Sequence, residues 1–258
     1  MPVHPTAIVD ASARVADTAD IGPYCIVGPE VEIGEGTRLM AHVFTDGPMT
    51  IGDNNTIYPH VSLGAAPQDL KYKGEKSHVT IGHRNLIREF VTVHRGTEGG
   101  GMITTIGSDV LLQAYTHVAH DCHVGDHAIL SHGATLGGHV TIGDWAIVGA
   151  WSGVHQFCRV GRHAMIGGYS VVTQDVMPYS TTVSPREIKT FGANRIGMER
   201  RGFSNESVEA LQTMFRLLTR SNLNTSQAVA AIREELGGVA EVEEVLAFLE
   251  TSQRGFIK

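Results

Sequence analysis

The feature that most constrains this chain is a six-residue spacing of aliphatic side chains. It runs through Val9, Val15, Ile21, Val27, Ile33 and Leu39, resumes at Ile51, Ile57 and Leu63, and again at Ile81, Ile87 and Val93. From Ile106 it continues unbroken through Leu112, Val118, Val124, Leu130, Leu136, Ile142, Val148, Val154, Val160 and Ile166 to Val172. Glycine often follows the aliphatic, and a small or β-branched residue usually stands four positions after it. A six-residue unit has too little apolar surface to bury its own face, so it is stable only when stacked on copies of itself. Stacked coils place each aliphatic over its equivalent, and parallel neighbours about 4.8 Å apart satisfy one another's backbone. The period therefore predicts a mainly β protein, a parallel β-helix with three hexads per 18-residue turn. Thirty glycines fit its many turns, and with two tryptophans, six tyrosines and eight phenylalanines the core must be thin and aliphatic. Cys25, Cys122 and Cys158 fall on the small-residue position and are expected as apolar filler, not as disulfides.

The register lapses twice. Residues 65–80 and 98–105 read as loops leaving the prism, the first rich in charge and the second opening on a run of glycines. After Met177-Pro178 the hexads stop and the period becomes helical from about residue 195. One helix is expected after a Ser204 cap with Val208, Leu211, Phe215 and Leu218 on its apolar stripe. A second follows Asn224 or Thr225 and ends at Gly237-Gly238, and a third covers roughly Val242 to Leu249. The organisation read from this is a β-helix over 1–190 and a small helical C-terminal domain over 191–258.

A net charge of −7 argues against nucleic-acid binding. The N-terminus lacks the basic and apolar regions of a signal peptide, and no apolar run is long enough to span a membrane. A cytoplasmic protein is expected.

Fourteen histidines are many for this length. His4, His42, His60, His78, His83 and His163 show no clustering in the sequence and receive no role. Over 106–176 the unbroken register fixes geometry: residues 18 apart lie one coil apart on one face. His120 then stacks below Gly138 and Gln156, Asp121 below His139 and Phe157, and Ala119 below Gly137 and His155. His120, Asp121, Gly138, His139, His155 and Gln156 thus form one patch about 10 Å tall, outside the repeat's core set. A neutral imidazole can act as a general base near pH 7, a carboxylate can fix its tautomer, and a backbone N–H at Gly138 can stabilise an oxyanion. Two other readings stay open on spacing alone: polar surface at a subunit contact, and a zinc site of the kind hexapeptide-repeat carbonic anhydrases use.

The run Thr116-His117-Val118-Ala119-His120-Asp121-Cys122 resembles the active-site segment of the UDP-N-acetylglucosamine 3-O-acyltransferases of lipid A biosynthesis. So do Gly138-His139-Val140, Val154-His155-Gln156-Phe157-Cys158, Asp69-Leu70-Lys71-Tyr72, Val93-His94-Arg95-Gly96-Thr97, Arg200-Arg201-Gly202-Phe203 and the ending Arg254-Gly255. The resemblance implies a left-handed β-helix and a homotrimer with sites between subunits. It implies a reaction in which a 3-hydroxyacyl chain passes from acyl carrier protein to the sugar 3-hydroxyl, with no cofactor and no metal beyond the carrier's phosphopantetheine.

By the same resemblance His120 is the general base, Asp121 its orienting partner and Gly138 the oxyanion donor. His117, His139, His155 and Gln156 contact the nucleotide sugar or the acyl chain. Asp69, Leu70 and Lys71 form a loop reaching into the site, and Asn194, Arg200 and Arg201 lie near the nucleotide and the phosphopantetheine. Arg195, Arg200, Arg201, Arg216 and Arg220 are candidates for a basic patch meeting the acidic carrier. Gly168 matches the position that limits acyl length, which predicts a chain of about C12–C14; it lies 12 residues out of phase with His120, on another face. Ser184-Pro185-Arg186-Glu187 stands where relatives carry a Gly-Asn pair. Transfer to a 3-amino sugar is the nearest alternative reaction, and a non-catalytic repeat scaffold the nearest alternative of another class.

Overall fold

The computed structural model describes residues 3–184, 190 and 192–252. Pro185, Arg186 and Glu187 of the divergent turn and the Arg254-Gly255 ending lie outside them. The chain divides into two compact units, Met1–Ser184 and Pro185–Lys258, a boundary earlier than the expected 190/191.

The first unit is built from short strands in three parallel sheets, each sheet taking every third strand. The first sheet runs from Ile8–Val9 to Val171–Val172, the second from Arg14–Val15 to Arg159–Val160, and the third from Asp20–Ile21 to Thr181–Thr182. Ile8 pairs with Ile26 and Val118 with Leu136, so one coil is 18 residues. The hexad aliphatics fill the interior: Ile21, Leu39, Ile57, Ile87, Leu112 and Leu130 are fully buried, each contributing about 1.5–3 kcal/mol. All three cysteines are free and buried among them. Thr45 occupies the hexad position between Leu39 and Ile51, fully buried, with its hydroxyl donated to the Ile26 carbonyl. The register therefore does not lapse there.

Two insertions lengthen coils. Leu63 pairs with Val93 and Val93 with Val118, thirty and twenty-five positions on. The expected loops at 65–80 and 98–105 are shorter than read, because strands Ser62–Ala65, His78–Ile81 and Ile103–Ile106 extend into them. Both insertions leave the first sheet and re-enter at the second. We call this edge of the prism corner I, the edge from second to third sheet corner II, and that from third to first corner III.

Each corner places non-glycine residues in the left-handed region, among them Tyr24, His42 and His60 at corner III, Asp109 and His127 at corner II, and Asp121 and His139 at corner I. That conformation costs about 1–2 kcal/mol per residue. Side chains at equivalent turns then stack coil on coil. At corner III the rings of Tyr24, His42, His60, Phe90 and Tyr115 stack at centroid distances of 5.0, 4.9, 5.1 and 5.0 Å. At corner II His127, Trp145, His163 and Tyr179 do the same. Ring pairs worth about 0.5–1.5 kcal/mol each offset much of the backbone cost. His42, His60 and His163 are therefore clustered after all, as rungs of these ladders.

The second unit holds α1 (Arg195–Arg200), α2 (Asn205–Arg220), α3 (Thr225–Leu236) and α4 (Ala240–Thr251). Ser204 caps α2, and Asn224 caps α3 in a reciprocal capping box with Gln227. Leu211, Met214, Leu218, Ile232, Val242 and Leu246 form its core, while Phe215 is only half-buried. Among the described residues no helix is long and apolar enough to cross a membrane.

Candidate active site

Corner I gathers the chemistry. The first sheet delivers His117–Val118, Thr135–Leu136 and Gly153–Val154, and the turns after them carry His120-Asp121, Gly138-His139 and His155-Gln156 on successive coils. Both insertions emerge at this same corner one and two coils below. Each insertion follows a first-sheet aliphatic as His120 does, a phase in the hexad pattern that could have linked them to the site.

His120 Nδ1 lies 2.8 Å from Asp121 Oδ2. The Asp121 side chain has no exposure, while that of His120 keeps 15%. The carboxylate accepts the Thr97 backbone N–H at 2.9 and 3.0 Å and the Thr97 hydroxyl at 2.6 Å. The glycine-rich segment expected to leave the prism instead folds onto this group. A Cβ on Gly100 would fall 2.0 Å from Asp121 Cγ, so only glycine fits.

With Nδ1 committed to Asp121, His120 presents Nε2. A Cβ on Gly138 would lie 2.5 Å from His120 Cε1 and 2.7 Å from Nε2, so any side chain there would displace the ring. The Gly137 N–H donates to Val154 and the His139 N–H to His120, whereas the Gly138 N–H has no acceptor among the described residues. The Gly138 backbone thus lies against the free imidazole edge, and its N–H is available as the kind of donor an oxyanion site requires.

His139 meets the His120 ring edge-on at 5.0 Å and stacks on Phe157 at 4.4 Å. Its Nδ1 is 4.0 Å from Asp121 Oδ2. Burial lowers its pKa, opposed by Asp121, reinforced by His120 and opposed again by Asp69. Asp69 of the first insertion is thus among the charges felt by His139 within one chain. Leu70 is fully exposed beside it, and the Lys71 N–H closes the turn onto Asp69 Oδ1 at 2.9 Å. The base of this loop is pinned: His94 Nδ1 lies 2.7 Å from the Ala66 carbonyl, and Arg95 pairs with Asp46 at 3.1 Å.

His117 hydrogen-bonds Thr92 Oγ1 at 2.8 Å, and burial, with His94 and His120 adding, pushes its pKa down to about 4. It stays neutral at pH 7. His155 and Gln156 are exposed at the top of the patch, His155 Nδ1 turned to the Gln156 carbonyl at 3.1 Å.

Gly168 does not join them. It stands in the turn between Met165–Ile166 of the third sheet and Val171–Val172 of the first, at corner III. A Cβ there would come 2.8 Å from the Ala150 carbonyl oxygen. Asn194, Arg200 and Arg201 belong to the helical unit. Asn194 caps α1 by accepting the Gly197 N–H, and Arg201 donates to the Gly197 carbonyl at 3.1 Å. Arg195 is paired with Glu199 at 2.6 Å on the exposed face of α1.

His120, Asp121 and His139 offer three potential ligand atoms within 4.8 Å of one another. Asp121 Oδ2, however, already faces the Thr97 hydroxyl and His120 Nδ1, so an ion would have to displace the proton that joins the pair. The donor set fits proton transfer better than a zinc site.

Comparison with known proteins agrees with this geometry. The profile described as UDP-N-acetylglucosamine O-acyltransferase, domain 2, matches residues 175–257, and that of the bacterial transferase hexapeptide matches 103–138. An acyl-[acyl-carrier-protein]–UDP-N-acetylglucosamine O-acyltransferase of Syntrophobacter fumaroxidans is 45% identical over 258 residues, covering 100% of both chains. One from Thermodesulfovibrio yellowstonii is 43% identical, covering 99% of each.

This chain belongs to the UDP-N-acetylglucosamine O-acyltransferase family.

The solved LpxA of Acinetobacter baumannii superposes with a TM-score of 0.70 at 45% identity, covering 99% of each chain. The Moraxella catarrhalis UDP-N-acetylglucosamine O-acyltransferase gives 0.70 at 41%, covering all of both. The prism is accordingly the left-handed β-helix of hexapeptide repeats that this family shares. Sequence reading placed the histidine patch but missed Thr97 and Gly100, which enclose its carboxylate.

Proposed function

We propose that this enzyme transfers a 3-hydroxyacyl chain from acyl carrier protein to the 3-hydroxyl of UDP-N-acetylglucosamine, the first step of lipid A biosynthesis. The observation that carries the mechanism is the His120–Asp121 pair, 2.8 Å apart, with the Gly138 backbone against the free edge of the imidazole. His120 Nε2 takes the proton of the sugar hydroxyl as its oxygen attacks the thioester carbonyl. The Gly138 N–H donates to the resulting oxyanion. Collapse breaks the C–S bond, and the imidazolium returns the proton to the departing phosphopantetheine thiolate. Asp121 holds the productive tautomer and supports the imidazolium.

His117, His139, His155 and Gln156 line the sugar and acyl side of this centre. The Asp69-Leu70-Lys71 loop rises from two coils below, and Asn194, Arg200 and Arg201 serve the nucleotide and carrier. Gly168 sits on a different corner from His120, so it meets the acyl chain only when a second subunit supplies it. This supports a homotrimer with sites between subunits. Glycine rather than a bulky residue at 168, the position that resembles the family's limit on acyl length, favours chains of about C12–C14.

Purified wild-type and His120→Ala enzyme, assayed with 3-hydroxyacyl carrier protein and UDP-N-acetylglucosamine, test the reading. Loss of a general base lowers kcat by about 10²–10⁴. A correctly folded variant with wild-type turnover would reject it, and preference for a 3-amino sugar would move the acceptor to nitrogen.

A further inference from the structure

The enclosure of Asp121 has its own logic. We propose that Thr97 is the positioning residue that aims Asp121 at His120, with the Glu98–Gly101 segment as the seal that keeps water off the carboxylate. This rests on the general-base reading above.

Three contacts run from one residue to one carboxylate. The Thr97 N–H lies 2.9 and 3.0 Å from the two oxygens, and its hydroxyl lies 2.6 Å from Oδ2, the oxygen that also faces His120. Thr97 stands at the N-cap of the Glu98–Gly100 turn, where a threonine oxygen ordinarily accepts a backbone N–H. Here the side chain makes no capping bond, and the hydroxyl is turned onto Asp121 instead. Gly100 closes against Asp121 so tightly that any side chain would overlap it. The Asp121 backbone N–H is fixed in turn by Thr104 Oγ1 at 2.8 Å.

A buried carboxylate whose only donor was His120 would be free to turn about its own axis and would be poorly compensated for lost water. Donors from Thr97 fix its plane without adding charge, so its full negative charge faces the imidazole. The titratable groups around it are His120 and His139, with His117 behind His120 and Asp69 beside His139.

The test is steady-state kinetics against pH for Thr97→Val and Thr97→Ser, each made in wild-type and His120→Ala backgrounds of the full-length chain. Thr97→Val should lower kcat roughly 10–100-fold, the size expected for one hydrogen bond to a charged group, with KM for the sugar within about threefold. A carboxylate missing a donor becomes more basic, so the acid limb of kcat/KM should move to higher pH by about half a unit or more. Thr97→Ser should restore both. In the His120→Ala background Thr97→Val should cost less than about threefold, because the partner it serves is gone.

Wild-type kcat and acid limb in Thr97→Val would overturn the inference. So would a serine variant as impaired as the valine, or an equal loss with and without His120. Unfolding of both Thr97→Val and Thr97→Ser would overturn it too, since the contact would then serve the fold. Wild-type turnover in His120→Ala alone would instead reject the general-base reading.

Discussion

Two aspartates on neighbouring corners occupy almost the same backbone. Asp109 at corner II has φ 59° and Asp121 at corner I has φ 57°. Each has a histidine one coil above, His127 Nδ1 at 3.9 Å and His139 Nδ1 at 4.0 Å. Their partners differ. Asp109 is 29% exposed and held in a fork by Arg84 Nε and Nη2 at 2.8 and 2.6 Å. Asp121 is fully enclosed and held by the neutral donors of Thr97, leaving its charge to His120. A fixed guanidinium neutralises a carboxylate at every working pH, whereas neutral donors orient it and let it act on an imidazole. The repeat supplies the same turn to both corners, and the inserted segment makes one of them a site.

The largest break in this comparison is Asp→Asn at each position. Asp121→Asn should lower kcat by about 10³-fold, because an amide can stabilise the wrong imidazole tautomer and cannot support the imidazolium. Asp109→Asn should leave kcat within about twofold, since its partner is a surface arginine. Parallel kinetics on both variants check this. Equal losses would mean that the shared backbone, and not the enclosure, sets the function.

The same pair shows what the sequence carried. His120, Gly138 and Gln156 were placed on one corner by counting eighteen residues, because hydrophobic stacking enforces that count wherever coils are uninterrupted. Thr97 and Gly100 could not be placed that way. They lie within a lengthened coil, where Val93 pairs with Val118 across twenty-five positions, and an insertion's path depends on tertiary contacts the period does not encode. Thr45 was passed over for a related reason: a hydroxyl hides a core position that β-branching fits and a carbonyl satisfies. The aromatic ladders were invisible because their rungs differ in type, His beside Tyr beside Phe, while sharing only a turn geometry.

A pH titration of stability separates the two corners next. His117, behind the site, has its pKa pushed from 6.5 down to about 4, first by burial. In the unfolded chain it takes up a proton near 6.5 while the native chain does not, so stability is full above 6.5 and falls as pH drops towards 4. Burial lowers His139 in the same direction. Asp109 has its pKa lowered by the Arg84 hydrogen bond, so its contribution is present above the unfolded value of 3.8 and lost only below it. Denaturant melts between pH 7 and 4.5 should therefore show a loss that His117→Asn reduces and Asp109→Asn leaves in place. A slope unchanged by His117→Asn would assign it to other groups.

The smallest expected effect is at the quenched corner itself. Arg84→Ala removes an exposed ion pair whose charges water and salt already screen. The melting temperature should fall by no more than about 2 °C, and less in high salt, with kcat unchanged. The freed Asp109 would then stand below His127 as Asp121 stands below His139, yet open to solvent and without a residue like Thr97 to aim it. If that variant kept wild-type kcat, the corners would be separated by enclosure and by the residue preceding the aspartate, serine at 108 against histidine at 120. A drop in kcat from Arg84→Ala would instead tie corner II to the reaction and dissolve the distinction.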